Sequence, residues 1–543
     1  MNRNTNEHFS TIPQLDGSQQ RSRFDRSHSL KTTFSSGKLV PIMCEEVLPG
    51  DTITLDTSVV CRMTTPLYPV MDSCFLDVYY FFVPNRLVFD KWKYFMGEDE
   101  FSAWDDNVEY EIPQIKPYEG PAGCRFEEGS LADYFGLPTD VLASSDYSVS
   151  ALPFRAYYLI WNEFFRAQAI QDPVYIDTSS YDSQLMSLFD YEESYYPNAI
   201  NYGALMKVGK FFDYFTSCLP SPQKGQPVAL PLNGLAPVIT TSDNHNSPGN
   251  VPLNAYFNGL DSVGNVVASN LSNESGTFSP RNLYADLGSS DFVSINDLRN
   301  AITIQHFLEA EARGGSRYTE IIKTFFGVTS PDARLQRPEY LGGKQIPINI
   351  DQVVQTSSSN NEPSPLGNTG AFSLTGDKDS SFTYSSTEHG WILGLCCVRP
   401  RHTYQRGIER KWLRKQRFDY YFPVFSNISE QPVYCCELNA SEFLPDEVFG
   451  YNEPWADYRY SQNRVTGGFR YNAEDSLSPW IYTDMADSAS VISNDFIKED
   501  PSIIGETLAY QANEDVQFLA DFYFISTWTR PMPVYSVPGL SRI

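Results

Sequence analysis

The chain has 543 residues, of which 41 % are hydrophobic and only 20 % charged. That balance fits a globular chain and excludes a chain disordered throughout, a coiled coil or a long helical rod. Forty basic residues against 67 acidic ones leave a net charge of −27, a surface that on the whole repels polyanions.

The N-terminus is polar, beginning Met1-Asn-Arg-Asn-Thr-Asn6, and lacks the apolar stretch of a secretory leader. No apolar run approaches the roughly 18 residues of a membrane span; the longest are Val78 to Val83 and Ile392 to Val398. The expectation is a soluble chain held, at first, in the cytoplasm of the cell that makes it. Residues 1–37 are rich in Ser, Asn, Gln, Thr and Arg, with six basic and three acidic residues in the first forty. They hold too little apolar surface to fold alone and read as a partly basic arm ordered by neighbours.

Residues 38–218 read as the first part of a β core. Leu39 to Cys44 is strand-like, Pro49-Gly-Asp51 is a turn, and Thr52 to Cys61 alternates apolar and polar residues as a half-buried strand does. Ser73 to Val83 is aromatic and β-branched and suits a strand buried on both faces. Acidic loops follow, with 13 acidic and two basic residues over 98–146. Residues 153–170 read as a helix with Tyr157, Ile160, Trp161 and Phe164 on one face and Pro173 just beyond.

Residues 219–285 change character, with many Pro, Gly, Asn and Ser and few charges. The stretch is too long for an ordinary connection and reads as a surface insertion with its own small structure. Residues 286–543 read as the rest of the core. Helices are expected from Ser294 to the Gly314-Gly315 stop and over Ser316 to Phe326 before Gly327. A Ser/Asn/Pro/Gly loop is expected over 356–381, and strands at Gly390 to Val398, Tyr420 to Phe425 and Val516 to Trp528. Strands spread over the whole chain without βαβ alternation indicate an all-β class, a two-sheet sandwich or jelly roll with a few helices in its loops.

Catalytic signatures are scarce. The six histidines include no H-E-x-x-H, and there is no P-loop, G-x-G-x-x-G, G-x-S-x-G or calcium loop. Glu388-His389 and the acidic pairs Asp105-Asp106 and Glu127-Glu128 are neighbours of the kind that 67 acids create by chance. No enzyme, metal site or cofactor is expected. Nine cysteines include the vicinal pairs Cys396-Cys397 and Cys435-Cys436. Neighbours on a strand point to opposite faces, so these read as buried, reduced, apolar side chains.

The basic segment 399–417 is the most specific feature, with eight basic residues and one acidic. It supplies Arg399, Arg401, Arg406, Arg410, Lys411, Arg414, Lys415 and Arg417, with Trp412 among them; Arg21, Arg23 and Arg26 add cations from the arm. Phosphates need cations and unpaired bases favour aromatic faces, so these twelve residues are candidates to face a single-stranded nucleic acid. The competing reading pairs the arginines with the acidic body of this chain or its neighbours.

Four longer motifs together carry a resemblance. They are Phe24-Asp-Arg-Ser-His-Ser-Leu-Lys-Thr-Thr-Phe34 with Val47-Leu-Pro-Gly-Asp-Thr52; Leu152-Pro-Phe-Arg-Ala-Tyr-Tyr-Leu-Ile-Trp-Asn-Glu163; Tyr318 to Gly343; and Trp455-Ala-Asp-Tyr-Arg-Tyr460 with Val465-Thr-Gly467. The chain from about residue 20 onward resembles the major capsid proteins of the Microviridae, most of all the gokushovirus branch. The resemblance implies an eight-stranded antiparallel viral jelly roll. It implies a homo-oligomer of about sixty copies with five-, three- and two-fold contacts, a T=1 icosahedral shell around the circular single-stranded DNA genome of a small tailless bacteriophage.

It also implies partners: a small basic DNA-binding protein, an internal scaffolding protein, a DNA pilot protein and a host-surface receptor. The virion would be assembled in the bacterial cytoplasm. The 219–285 insertion would form a three-fold protrusion, with Asn244, His245, Asn246, Tyr256, Phe257 and Asn258 as candidate host contacts. The alternative is a carbohydrate-binding or carbohydrate-cleaving β-sandwich protein; a secreted adhesin is disfavoured by the missing leader and the reduced-looking cysteines.

Overall fold

The computed structural model describes residues 21–98, 110–120, 123–139, 147–184, 203–225, 295–315, 317–356, 369–426, 428–441, 443–486, 490–509 and 516–535, residues 228 and 367, and short strands within 238–285. Two compact units result: Met1–Pro222 with Gly314–Ile543, and Gln223–Arg313.

The larger unit is built on two facing antiparallel sheets. In the first, β1 (Ser22–Asp25) and β2 (His28–Phe34) both pair with β11 (Phe518–Arg530), which pairs in turn with β4 (Thr52–Met63), and β4 pairs with β9 (Thr375–Ser385). In the second the order is β6 (Glu339–Pro347), β5 (Cys74–Pro84), β10 (Gly390–Pro400), β3 (Val40–Val47). A two-stranded ribbon, β7 (Ile350–Val354) with β8 (Thr369–Ser373), lies between β6 and β9 in sequence.

The period-2 pattern sets the register. Along β4 every second residue from Ile53 to Met63 is buried, and its neighbour β11 alternates in the same way. Phe522 lies opposite Val59 on one side and Leu30 on the other. These side chains meet Ile42, Leu76, Val78, Ile392 and Cys396 of the second sheet in one core. Across it the hydroxyls of Thr57 and Tyr80 share a 2.6 Å hydrogen bond, and Tyr80 packs 5.3 Å from Phe382. Each large side chain fully buried here contributes about 1.5–3 kcal/mol.

The second sheet is covered on its other face too. There Phe81, Val83, Leu393, Leu395 and Cys397 pack with Phe154, Tyr157 and Tyr158 of α1 (Leu152–Ile160) and with Trp161 just beyond it. This double burial is why β5 and β10 contain the unbroken apolar runs Val78 to Val83 and Ile392 to Val398. The vicinal pair divides as strand geometry requires, Cys396 entering one core and Cys397 the other. Cys435 and Cys436 instead sit in a single helical turn, Cys435–Leu438. All eight cysteines with described side chains are free thiols.

Several expectations are corrected. Residues 22–34 are not an arm awaiting a neighbour: β1 and β2 are ladder partners of β11 in the same chain, and their apolar residues Phe24 and Leu30 pack on the core. The helix expected to residue 170 ends at Phe165, where a π turn (Trp161–Phe165) closes it and Arg166 turns extended. The side chain of Asn162 holds that turn by bonding both backbone groups of Val174, at 2.7 and 2.9 Å.

The loop expected over 356–381 contains β8 and the start of β9. β9 is polar because it lies at a sheet edge, where charged residues are tolerated and discourage stray pairing. The strand expected at Tyr420 to Phe425 is a 3₁₀ turn (Pro423–Phe425) preceded by extended, exposed residues; Pro423 supplies no donor for a ladder.

The smaller unit includes α2 (Ile295–Gly314) as far as Arg313. It holds two small antiparallel sheets, Val238–Thr240 with Leu283–Ala285, and Asn254–Phe257 between Gly264–Asn265 and Phe278–Pro280. Lys224 pairs with Glu311 at 2.5 Å within it. α3 (Tyr318–Phe326) belongs to the larger unit and ends on Gly327 at φ +67°, a left-handed stop that glycine adopts without strain.

Candidate functional site

The basic segment begins where β10 leaves the sheet, and its cations divide into three groups. Arg399 is still on the strand. Its guanidinium pairs with the buried carboxylate of Asp77, reaches Tyr79 Oη at 3.1 Å and the Gly209 carbonyl at 3.3 Å, and lies 4.2 Å over the Phe211 ring. Arg410 donates to the Pro432 carbonyl at 2.7 Å and lies 3.7 Å from Glu437, a carboxylate at zero side-chain exposure that also accepts from Tyr214 Oη at 2.8 Å. Burial pushes the Glu437 carboxyl up, and the Arg410 charge pulls it back. Arg414 pairs with Asp457, donates to the Asp419 carbonyl at 3.0 Å and lies 4.3 Å over the Tyr458 ring. These three arginines are structural: each neutralises a carboxylate that would otherwise be stranded with little solvent.

A second group points to the surface but rests on its own chain. Arg401 lies 5.5 Å over Phe75, and Lys411 pairs with Glu409, which also takes Arg464 at 2.5 Å. Arg21 donates to the Gly50 carbonyl and to Thr52 Oγ1, Arg23 to Thr527 Oγ1 at 3.2 Å. Arg26 pairs with Glu45 at 2.6 Å and stacks 4.7 Å over Trp528. Arg406 is half-buried, its carbonyl accepting from the Ala440 N–H.

The third group lies on an exposed shelf. Trp412 is 74 % exposed, Phe418 66 % and Val424 88 %, with Tyr420, Tyr421 and Phe422 beside them. Lys415 and Arg417 are exposed on the same stretch, and Arg417 lies 5.7 Å over the Phe422 ring. The shelf is fixed from below. Asp419 accepts from the backbone N–H groups of Gln416 and Lys415 at 2.7 and 2.8 Å, which hold its carboxyl below the usual carboxylate range. The buried Trp455 donates from Nε1 to the Phe425 carbonyl at 2.9 Å and meets Tyr421 edge-on. Trp455 sits at φ +62°, a conformation a bulky residue keeps only when its surroundings impose it. The sequence singles out Trp412, Lys415 and Arg417 of this shelf but predicts a strand over its aromatic part, Tyr420 to Phe425; the signal against a strand is an aromatic run interrupted by Pro423, without alternation.

Beside Arg401 lies the most enzyme-like constellation. His402 Nε2 is 2.8 Å from Glu499 Oε2, its Nδ1 is 3.4 Å from Asp484 Oδ2, and Lys210 Nζ is 2.6 Å from the same Asp484 oxygen. Burial alone would push His402 down, but Glu499 and Asp484 outweigh it and raise the imidazole to about 9. Burial works against the Asp484 charge too, yet His402 and Lys210 hold that carboxyl well below the usual range. His402 and Glu499 are shut from solvent, at 2 % and 0 % side-chain exposure. No substrate reaches them, so the cluster is a buried ion network joining four chain segments.

His389 packs 5.7 Å from Trp92, while Glu388 pairs with Arg86 at 2.7 Å; the two do not form a base pair for catalysis. Among the described residues no group of three or more His, Cys, Asp or Glu side chains is placed to hold a metal ion, and no helix is long and apolar enough to cross a membrane. Of the candidate host contacts, Asn244, His245, Asn246 and Asn258 lie outside the described residues. Tyr256 and Phe257 are placed only as backbone, in the strand Asn254–Phe257.

Residues 13–540 match a family model described as "Capsid protein (F protein)". Three relatives each bear the name "Capsid protein VP1". That of Chlamydia phage 1 is 39 % identical, with 98 % of both chains covered. That of Bdellovibrio phage phiMH2K is 37 % identical, also with 98 % of each covered, and that of Spiroplasma virus 4 is 38 % identical over 96 % of each.

Proposed function

The chain belongs to the phage capsid protein (F protein) family, and from that premise we propose how its parts serve a shell. It is a major capsid protein, a structural component of the virion, and copies of it assemble with one another. The observation that carries this is similarity along the whole length of chain, sandwich and loops alike.

The fold reading is an eight-stranded jelly roll. Two facing sheets, each four strand positions wide and paired between sequence-distant strands, support it. The assembly reading is a T=1 shell of about sixty copies enclosing a circular single-stranded DNA genome and formed in the bacterial cytoplasm. The scaffolding, pilot and small basic DNA-binding proteins are its proposed helpers. A chain at net −27 is a poor neutraliser of phosphate, so the basic partner carries most of that task. The unit Gln223–Arg313 is the proposed protrusion and host contact. No catalytic step is assigned to this chain.

Genome contact is proposed for the surface cations Arg21, Arg23 and Arg401. Arg399, Arg410 and Arg414 are assigned to the fold instead, because their partners are buried or half-buried carboxylates. Electron microscopy of the chain purified from its native source tests the assembly: uniform icosahedral particles are expected, and isolated 61.5 kDa chains would overturn it. Reversing Arg21 and Arg23 to Glu should lower encapsidated DNA per particle; an unchanged DNA content would remove them from the genome-facing surface.

A further inference from the structure

The exposed shelf combines features that an isolated surface rarely holds together. Trp412, Phe418, Tyr420, Phe422 and Val424 are all exposed within thirteen residues of chain, and Phe418 and Phe422 both pack edge-on against Phe425; exposed apolar side chains gathered in this way mark interaction sites. Its backbone is already fixed by Asp419, Arg414 and Trp455. A partner therefore meets a surface whose ordering entropy is already spent.

Two observations select the occupant. Nucleic acid would need a run of cations for its phosphates, but Arg410, Lys411 and Arg414 are committed to Glu437, Glu409 and Asp457, which leaves two, Lys415 and Arg417, on this stretch. The most exposed of its hydrophobic side chains, Val424, is aliphatic and offers no ring for a base to stack on. Aromatic residues with arginine at a dry centre are instead the composition of a protein interface. The cations on the shelf, Lys415 and Arg417, call for an acidic counterpart. A second copy of this chain supplies one, since its excess of 27 negative charges falls outside this segment.

We infer that the shelf from Trp412 to Val424 is a subunit interface that seats on an acidic surface of a second copy. A cationic, aromatic face does not complement itself, so the contact is heterologous: shelf on one copy, a different acidic patch on the next. Such contacts generate closed rings about five- or three-fold axes, not isologous two-fold pairs. The inference rests on the capsid reading and names a surface through which assembly proceeds.

The test is complementation of infected cells with Val424→Asp and, separately, Arg417→Glu, with particles counted after gradient sedimentation. Both side chains are exposed, so thermal melting of the unassembled subunit should match wild type. Particle yield should fall by about tenfold or more, the loss expected of an interface anchor. Binding of a short single-stranded oligonucleotide to the soluble chain should not change. Equal particle yield for both variants and wild type would overturn the inference while leaving the capsid reading intact. Intact yield with oligonucleotide affinity reduced about tenfold would overturn it in favour of nucleic acid. Absence of shells from wild type itself would overturn the capsid reading and the inference with it.

Discussion

β10 and the shelf that follows it are both rich in large apolar side chains and end in opposite environments. β10 has a ladder partner on each side, β5 and β3, and a packed layer on each face. Some twenty residues later, Trp412 to Val424 has only a helical turn and two 3₁₀ turns and stands open to solvent. The difference lies in where the backbone hydrogen bonds go. A strand between two others satisfies its backbone inside the protein and can be buried whole. A segment without a ladder must keep its backbone near water, and its aromatic side chains stay at the surface until another molecule covers them. Charges follow the same division: Arg399 is spent on Asp77, whereas Arg417 lies over a ring at the surface.

The sharpest break of this comparison is at Arg399. Arg399→Leu leaves Asp77 as an uncompensated buried charge, and folding stability should fall by about 3–5 kcal/mol, measured by denaturant unfolding of the unassembled subunit. A loss below about 1 kcal/mol would place Arg399 with the surface cations.

The pH dependence of the buried network comes next. The folded His402 titrates near 9 against an ordinary 6.5. Its protonated form therefore stabilises the fold fully below about pH 6.5, and that contribution is lost as the pH rises through about 9. The melting temperature of wild type should decline over this window, by an amount worth up to roughly 3 kcal/mol, and His402→Gln should flatten the decline. Equal slopes for the two proteins would remove His402 as the cause.

Gly37 tests close approach in the same region. It sits at φ +77°, and a Cβ there would lie 2.8 Å from the Glu499 carbonyl oxygen. Gly37→Ala should cost about 1–3 kcal/mol, read from thermal melting. The smallest effect is expected on the shelf: Trp412→Ala should leave subunit stability within about 0.5 kcal/mol. A larger loss would mean that the indole supports the fold and is not simply displayed.

The strands with strict alternation or unbroken apolar runs were legible in the chain itself, because period and composition encode burial on one face or two. β4, β5, β10 and β11 lie within a few residues of where the pattern puts them. β9 was not legible, since an edge strand needs backbone partners but no apolar side chains. The second half of the arm was not legible because it holds little apolar surface of its own, while the ladder to β11 lies some five hundred residues away in sequence.

What the sequence determined by itself was the strand-rich class of fold and, through its four long motifs, the family. Only tertiary structure decided which cations of the basic segment are free to meet another molecule. Asp77, Glu437 and Asp457 are distant in sequence from the arginines they neutralise. Pairing across such distances follows from how the sheets and loops close, not from any local pattern.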